Sequence, residues 1–228
     1  MTMPAGSNIP RQAEPEVMAD RDEALAYARA DFTEVNQAFV DRLLALVGPC
    51  LSAAAVDLGT GPGDIPFRLL RARPGWHITA VDASQAMLEL ARRAAPKAGL
   101  AGAIDFLQAD AKSTHLPAAA FDVVFSNSIL HHISDTAAFW AEVRRLAAPG
   151  AVVFMRDLAR PGDAAAAARI VEQYVGGESE LLRQEYYRSL LSSYTVQEVR
   201  RQLDKAGLGT LGVEMATDRH LDVFGRPG

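Results

Sequence analysis

The segment Val56-Asp57-Leu58-Gly59-Thr60-Gly61-Pro62-Gly63-Asp64 sets three glycines between two acidic residues. Glycines at alternate positions admit positive φ and let a backbone approach a ligand where a Cβ would collide. That is the chemistry of a nucleotide-like site at a strand-to-helix turn. Two common phosphate-binding patterns do not fit it. The third glycine of a GxGxxG fingerprint would fall at position 64, where Asp64 stands, and no Gly-Lys-Ser/Thr follows the glycines. A carboxylate at a helix start competes with phosphate for the same amides, so this turn suits a ligand that carries positive charge.

Further side chains with chemistry follow at the ends of apolar runs. Asp82, in Val81-Asp82-Ala83-Ser84, stands about 25 residues after Asp57, close to the interval at which nucleotide folds set a carboxylate on a ribose diol. Its other reading is a cap, shared with Ser84, for a helix starting near Gln85. Asp110-Ala111 follows a third run. A fourth, Phe121 to Phe125, leads into Ser126-Asn127-Ser128-Ile129-Leu130-His131-His132, and a fifth ends in Arg156-Asp157. A histidine, with an unperturbed pKa near 6.5, suits removal of a proton from an incoming oxygen or nitrogen.

The glycine segment resembles the first motif of class I S-adenosylmethionine-dependent methyltransferases, which reads close to V-D-L-G-T-G-x-G. Phe121 to His132 resembles the F-D-x-V-x-S-x-x-x-L-H-H of members that act on small molecules. The resemblance covers roughly residues 50 to 160. It implies S-adenosylmethionine as cofactor, which carries a sulfonium and an ammonium but no phosphate, and S-adenosylhomocysteine as product. It assigns Asp57, Gly59, Thr60, Gly61 and Gly63 to the cofactor turn, and Asp82 with Ala83 to the ribose. Asp110 would take the adenine amino group, with the Ala111 amide at the ring. Met87 packs on the adenine face or in the core. Asn127 and Ser128 would lie beneath the methionine part. His131, and after it His132, would face the acceptor as a base or only pack in the turn. Arg156 would anchor a substrate carboxylate or phosphate, or pair with Asp157.

Three functions remain open on this reading. One is methyl transfer to an oxygen, nitrogen or carbon of a small molecule by in-line displacement. The others are methylation of RNA and binding of the cofactor or a nucleoside without catalysis. Positioning alone supplies about 7 to 11 kcal/mol and a general base typically 10²- to 10⁴-fold, so transfer to an already nucleophilic acceptor needs no base. No Asn-Pro-Pro-Tyr or Asp-Pro-Pro-Tyr follows the fourth run, Cys50 is the lone cysteine, and no His or Asp cluster in the sequence argues for a metal.

The elements that would position these residues alternate in the manner of a parallel sheet covered on both faces, a Rossmann-like doubly wound α/β fold. Strands are expected near 53–57, 77–82, 103–108, 121–126 and 151–157, the last entered through a Pro149-Gly150 turn. Helices fall over Asp64 to Arg71, Gln85 to Ala95 and Asp135 to Ala147. An antiparallel hairpin near 210–216 and 219–225 would close the sheet. Residues 1–49 read as an N-terminal helical cap: a charged segment from Glu14 to Ala30 carrying Tyr27, then a helix with Phe32, Val35, Phe39, Leu43 and Leu46 at helical spacing behind an Asp31/Glu34 capping box. Residues 50–160 form the cofactor-binding core. Residues 161–194 read as two helices broken at Gly176-Gly177, a candidate lid whose Tyr186, Tyr187 and Tyr194 stack on a substrate or pack. Residues 195–228 supply a last helix, with a Thr195/Glu198 capping box, and the closing strands.

At 228 residues, 49% apolar, the chain makes one domain with a full core. A net charge of −5 weighs against polyanionic partners, since nonspecific nucleic-acid affinity comes from clustered Lys and Arg. A cytoplasmic location, no membrane contact, and a monomer or homodimer acting on a small-molecule substrate are the expectations.

Overall fold

The computed structural model describes residues 9–14 and 32–228. The segment from 15 to 30, Tyr27 and Asp31 lie outside the described residues. Seven strands form one sheet: β1 (Ala54–Leu58), β2 (His77–Asp82), β3 (Ile104–Gln108), β4 (Phe121–Asn127), β5 (Ala147–Leu158), β6 (Gly212–Met215) and β7 (His220–Gly225). Their order is β3-β2-β1-β4-β5-β7-β6, and β7 runs antiparallel between β5 and β6. The order reverses between β1 and β4, which pair in parallel with Asp57 opposite Phe125. This switch point leaves a crevice beyond the strand ends, because the connections from β1 and β4 leave in opposite directions.

Seven helices are described: α1 (Thr33–Val47), α2 (Asp64–Ala72), α3 (Gln85–Lys97), α4 (Thr136–Leu146), α5 (Ala164–Val175), α6 (Glu180–Ser192) and α7 (Val196–Lys205). Central strands carry near-continuous apolar runs because both faces are covered. On one face Ala55, Ile78, Phe125 and Phe154 meet Phe39, Val40 and Leu43 of α1 and Leu69 and Leu70 of α2. On the other, Val56, Val124 and Val153 meet Phe139, Trp140 and Val143 of α4 and Val199 and Leu203 of α7. Each fully buried side chain of this size contributes about 1.5–3 kcal/mol. The pair α5 and α6 closes a separate small cluster of Leu158, Ala167, Val171, Leu190 and Leu191.

The helix starts follow their cap residues. Ser84, Asp135, Asp163 and Ser179 each accept a backbone N–H from the first turn, and Thr195 with Glu198 makes the expected capping box. The Asp31/Glu34 box does not describe the start of α1, whose N-cap is Phe32 with no side-chain cap. The expected turn at Pro149-Gly150 is absorbed into β5, which begins at Ala147 and passes through Gly150 at φ 77°. A register shift against β4 between Phe121 and Val123 accommodates it.

Candidate active site

The crevice at the switch point has two lobes that share Gly59, Gly61 and Asn127. The larger, about 410 Å³, is walled by Asp57, Thr60 and Asn127 and by Phe32, Thr33 and Asn36 at the start of α1. The smaller, about 190 Å³, is walled by Asp82, Ala83, Met87, Asp110, Ala111, Ser128 and His132. Residues far apart in sequence thus converge because each ends a neighbouring parallel strand.

The three glycines have different physical jobs. At Gly59 (φ +81°) a Cβ would stand 2.1 Å from the Ile129 side chain, and at Gly63 (φ +90°) it would meet Phe67 and Ala91. Those two are small so that the protein can pack on itself. Gly61 (φ +55°) alone of the three has open space where its Cβ would be. Of the three, Gly61 is therefore the one that no neighbouring side chain requires to be small.

Asp82 holds the turn from the side. Its Oδ2 accepts the Gly61 N–H at 2.7 Å and its Oδ1 the Ser84 N–H at 2.8 Å. The helix cap is Ser84, whose Oγ accepts from Met87 N. Burial raises the Asp82 carboxyl above its ordinary range, while the hydrogen bonds from Ser84 and Gly61 oppose the shift. Asp57 is buried, at 2% exposure, and burial pushes its carboxyl up to about 8; Thr60 works against this and the charge of Asp82 adds to it. A cation in the larger lobe would reverse that shift by favouring the ionised form.

Asp110 is exposed at the lip of the smaller lobe, with its Oδ1 accepting from Lys112 N at 2.8 Å and Lys112 Nζ 3.2 Å from its Oδ2. The loop behind it is clamped by α4. Glu142 Oε1 accepts from Thr114 N at 2.9 Å and Thr114 Oγ1 at 2.5 Å, and Arg145 grips Glu142 while donating to the Leu116 carbonyl. Those bonds hold the Glu142 carboxyl at about 2 against the opposing effect of its burial.

The loop after β4 starts at Ser128 (φ 59°), whose N–H reaches the Arg156 carbonyl at 2.9 Å. It separates the two histidines. His132 faces the smaller lobe, whereas His131 is buried at 4% exposure behind it. His131 Nδ1 lies 2.5 Å from Asp157 Oδ1, and Asp157 Oδ2 accepts from Leu130 N at 2.5 Å. Burial alone would lower the His131 pKa, but the charge and hydrogen bond of Asp157 and the charge of Glu14 together raise it. Glu14 reaches in from the N-terminal segment, with Oε1 3.5 Å from His131 Nε2 and 3.2 Å from His132 Nδ1. Arg11 donates to the carbonyls of His131 and Ser192 and lies over the Tyr194 ring.

Arg156 is not brought to either lobe, and its partner is not Asp157. Successive residues of a strand face opposite sides, so Asp157 turns to the histidine loop. Arg156 forms a bidentate pair with buried Asp222 of β7, both bonds 2.7 Å. The insertion tyrosines pack: Tyr186 and Tyr187 lie against the α5–α6 cluster, and burial pushes the Tyr186 hydroxyl up to about 12. Tyr194 donates to the Ile133 carbonyl at 2.7 Å. Sequence reasoning missed Glu14, Arg11 and the role of Asp157. Strand alternation was the available signal for Asp157; nothing local marked the other two.

A glycine turn at the switch point with carboxylates on successive strand ends, under a sheet closed by an antiparallel β7, is the fold of Rossmann-like methyltransferases. Residues 56–155 match the family described as "Methyltransferase domain". The chain is 35% identical to a trans-aconitate 2-methyltransferase of Azoarcus sp., over 49% of this chain and 41% of the relative. It is 34% identical to a ubiquinone biosynthesis O-methyltransferase of Methylocella silvestris, over 54% of this chain and 46% of the relative. The chain spans about half the length of the curated relatives it matches. A solved S-adenosylmethionine-dependent methyltransferase from Aquifex aeolicus superposes with TM-score 0.69 at 18% identity, covering 92% of this chain and 99% of that one. Among the described residues, no helix is long and apolar enough to cross a membrane.

Proposed function

We propose that this chain binds S-adenosylmethionine in the two-lobed crevice and transfers its methyl group to a small molecule. The observation that carries the reading is the charge of the crevice: Asp57, Asp64, Asp82 and Asp110 line it, and the two basic side chains in its wall, Arg68 and Lys112, are paired with Asp64 at 2.7 Å and Asp110 at 3.2 Å. The residues fit the cofactor part by part. Asp82 retains lone pairs on both oxygens for a ribose diol after accepting two N–H groups. Met87 and Ala111 give the smaller lobe apolar walls, and Asp110 stands at its lip for an exocyclic amine. Buried Asp57, with Asn127, gives the larger lobe a proton-holding carboxyl that ionises beside an ammonium. When bound, the cofactor supplies an electrophilic methyl carried on sulfur.

His132, rather than His131, is the residue positioned to meet an acceptor, because only His132 lines the crevice. Its Nδ1 faces Glu14, which orients the ring. His131 and Asp157 support it from behind: the imidazole rings lie 4.1 Å apart. We assign residues 9–14 and α6 as a cap over this end of the site, since Arg11 and Glu14 reach from one to the other through Ser189 and Ser192. The small-molecule acceptors named for the trans-aconitate and ubiquinone-pathway relatives support this class over RNA, as does the acidic net charge.

Calorimetric titration separates the readings. S-adenosylmethionine and S-adenosylhomocysteine are expected to bind, with NAD⁺ and ATP failing to compete; preferential binding of either phosphate ligand refutes the assignment. Turnover tested on small carboxylic acids, phenols and a tRNA pool then separates the acceptors. Tight cofactor binding without product from any acceptor would favour a binding protein.

A further inference from the structure

Glu14, His131 and His132, which the proposed function uses only to place one imidazole toward an acceptor, also form a cluster of metal-ligating groups at the edge of the smaller lobe. One ligand atom from each of Glu14, His131 and His132 lies within 4.8 Å of the other two, with Glu14 Oε1 3.5 Å from His131 Nε2 and 3.2 Å from His132 Nδ1. A tetrahedral ion with bonds of about 2.0–2.1 Å separates its ligand atoms by roughly 3.3 Å. The two carboxylate–imidazole separations bracket that edge. Two of the three side chains are well buried: His131 is 5% and Glu14 11% exposed, against 29% for His132.

Each of the two buried groups carries an outer partner of the kind metal ligands have. Asp157 Oδ1 lies 2.5 Å from His131 Nδ1, so Nδ1 is held by that carboxylate and Nε2, the nitrogen that faces Glu14, is the one left to ligate a metal. Ser189 and Ser192 donate to Glu14 Oε1 at 3.2 and 3.1 Å, fixing that carboxylate. Asp157 is itself held by backbone N–H groups of Leu130 and Leu158.

We propose that Glu14, His131 and His132 bind one divalent first-row transition cation, with Zn²⁺ the best match. Two imidazoles and one carboxylate are a Zn²⁺ donor set that leaves a fourth position open. Mg²⁺ and Ca²⁺ prefer shells of oxygen, and no thiolate is present to select a softer ion. His132 belongs to the crevice wall, so the cluster adjoins the smaller lobe. On the methyltransferase reading, that ion would polarise an acceptor oxygen; this role rests on that reading, whereas the binding does not.

Chelator-treated protein is titrated with ZnCl₂ by calorimetry and melted with and without the metal. One Zn²⁺ per chain and a melting temperature raised by zinc and restored by chelator are expected. Glu14→Gln and His132→Ala should each weaken binding by more than about 10- to 100-fold, the loss typical of removing only an outer partner. No stoichiometric binding, or undiminished binding in the Glu14→Gln/His132→Ala double variant, overturns the site. If the variants fail to fold, Co²⁺ added to the wild-type protein decides: intense visible absorption of a low-coordinate imidazole site is expected, and its absence refutes the proposal. S-adenosylhomocysteine binding is measured on the same samples. Loss of zinc binding alone sinks the metal inference, and loss of nucleoside binding alone sinks the cofactor reading.

Discussion

Replacing Asp82 by asparagine tests the centre of the cofactor assignment, because it keeps the side-chain shape while removing the charge and one acceptor oxygen. Asp82 Oδ2 takes the Gly61 N–H at 2.7 Å and Oδ1 the Ser84 N–H at 2.8 Å. The amide oxygen can keep one of these, and the amide nitrogen then faces the other donor. A hydrogen bond to a charged group contributes about 1.5–3 kcal/mol, so Asp82→Asn should lose roughly that much stability. At about 2–4 °C per kcal/mol for a chain of this size, the melting temperature falls by about 3–12 °C. If the remaining lone pairs hold a ribose diol, losing one charged hydrogen bond to the ligand also raises the dissociation constant by about 10- to 150-fold. Scanning calorimetry and titration with S-adenosylhomocysteine read the two effects separately. An unchanged melting temperature refutes the claim that Asp82 stitches the glycine turn to β2. A lowered melting temperature with unchanged affinity refutes the ribose contact.

The glycine turn gives a paired test: Gly59→Ala should be severely destabilising, and Ile129→Ala should recover part of the loss by removing the side chain that collides at 2.1 Å. Gly61→Ala meets no neighbour, so thermal melting should show only the strain of a positive φ, about 1–2 kcal/mol, while S-adenosylhomocysteine affinity should drop because Gly61 lines both lobes. Asp57, raised to about 8, binds a proton in the native state that the unfolded chain lacks above pH about 4. Stability should therefore fall as pH rises from about 4 to 8, and Asp57→Asn should flatten that fall in denaturant titrations; an unchanged slope would contradict the buried protonated carboxyl. Glu142 behaves in the opposite sense: its lowered carboxyl, at about 2, gives stability present above pH 4.5 and lost as pH falls toward 2. Glu142→Gln should cost about 1.5–3 kcal/mol at neutral pH and loosen the Asp110 loop, seen as faster amide exchange from Ala111 to Leu116.

The parallel core was readable because its strands are buried on both faces and its helices start on residues that cap. The run ending at Asp82 and the helix starting at Gln85 fall where the apolar pattern and Ser84 set them. What the pattern could not supply is the direction of single side chains in loops. His131 and His132 are adjacent, polar and equally suited to proton transfer on composition, yet one turn of backbone after Ser128 sends His132 to the crevice and His131 into the protein. Arg156 looked free at a strand end, but a partner from β7, distant in sequence, takes its Nε and Nη2 donors. Contacts made by long-range packing leave no local signature in the chain.

The same distinction changes what the glycine segment means. Three glycines in a row of alternating positions suggest three points of backbone approach to a ligand, yet two of them are small to admit Ile129, Phe67 and Ala91. Packing therefore accounts for two of the three positions, and Gly61 is the glycine that packing leaves unexplained. Ile129 belongs to the same loop as His132, and it rests on Gly59 of the turn. The loop that presents the histidine is thus seated on the turn that Asp82 fixes. Displacing Ile129 would move the His132 loop and the glycine turn together, so the two sides of the crevice share one mechanical support.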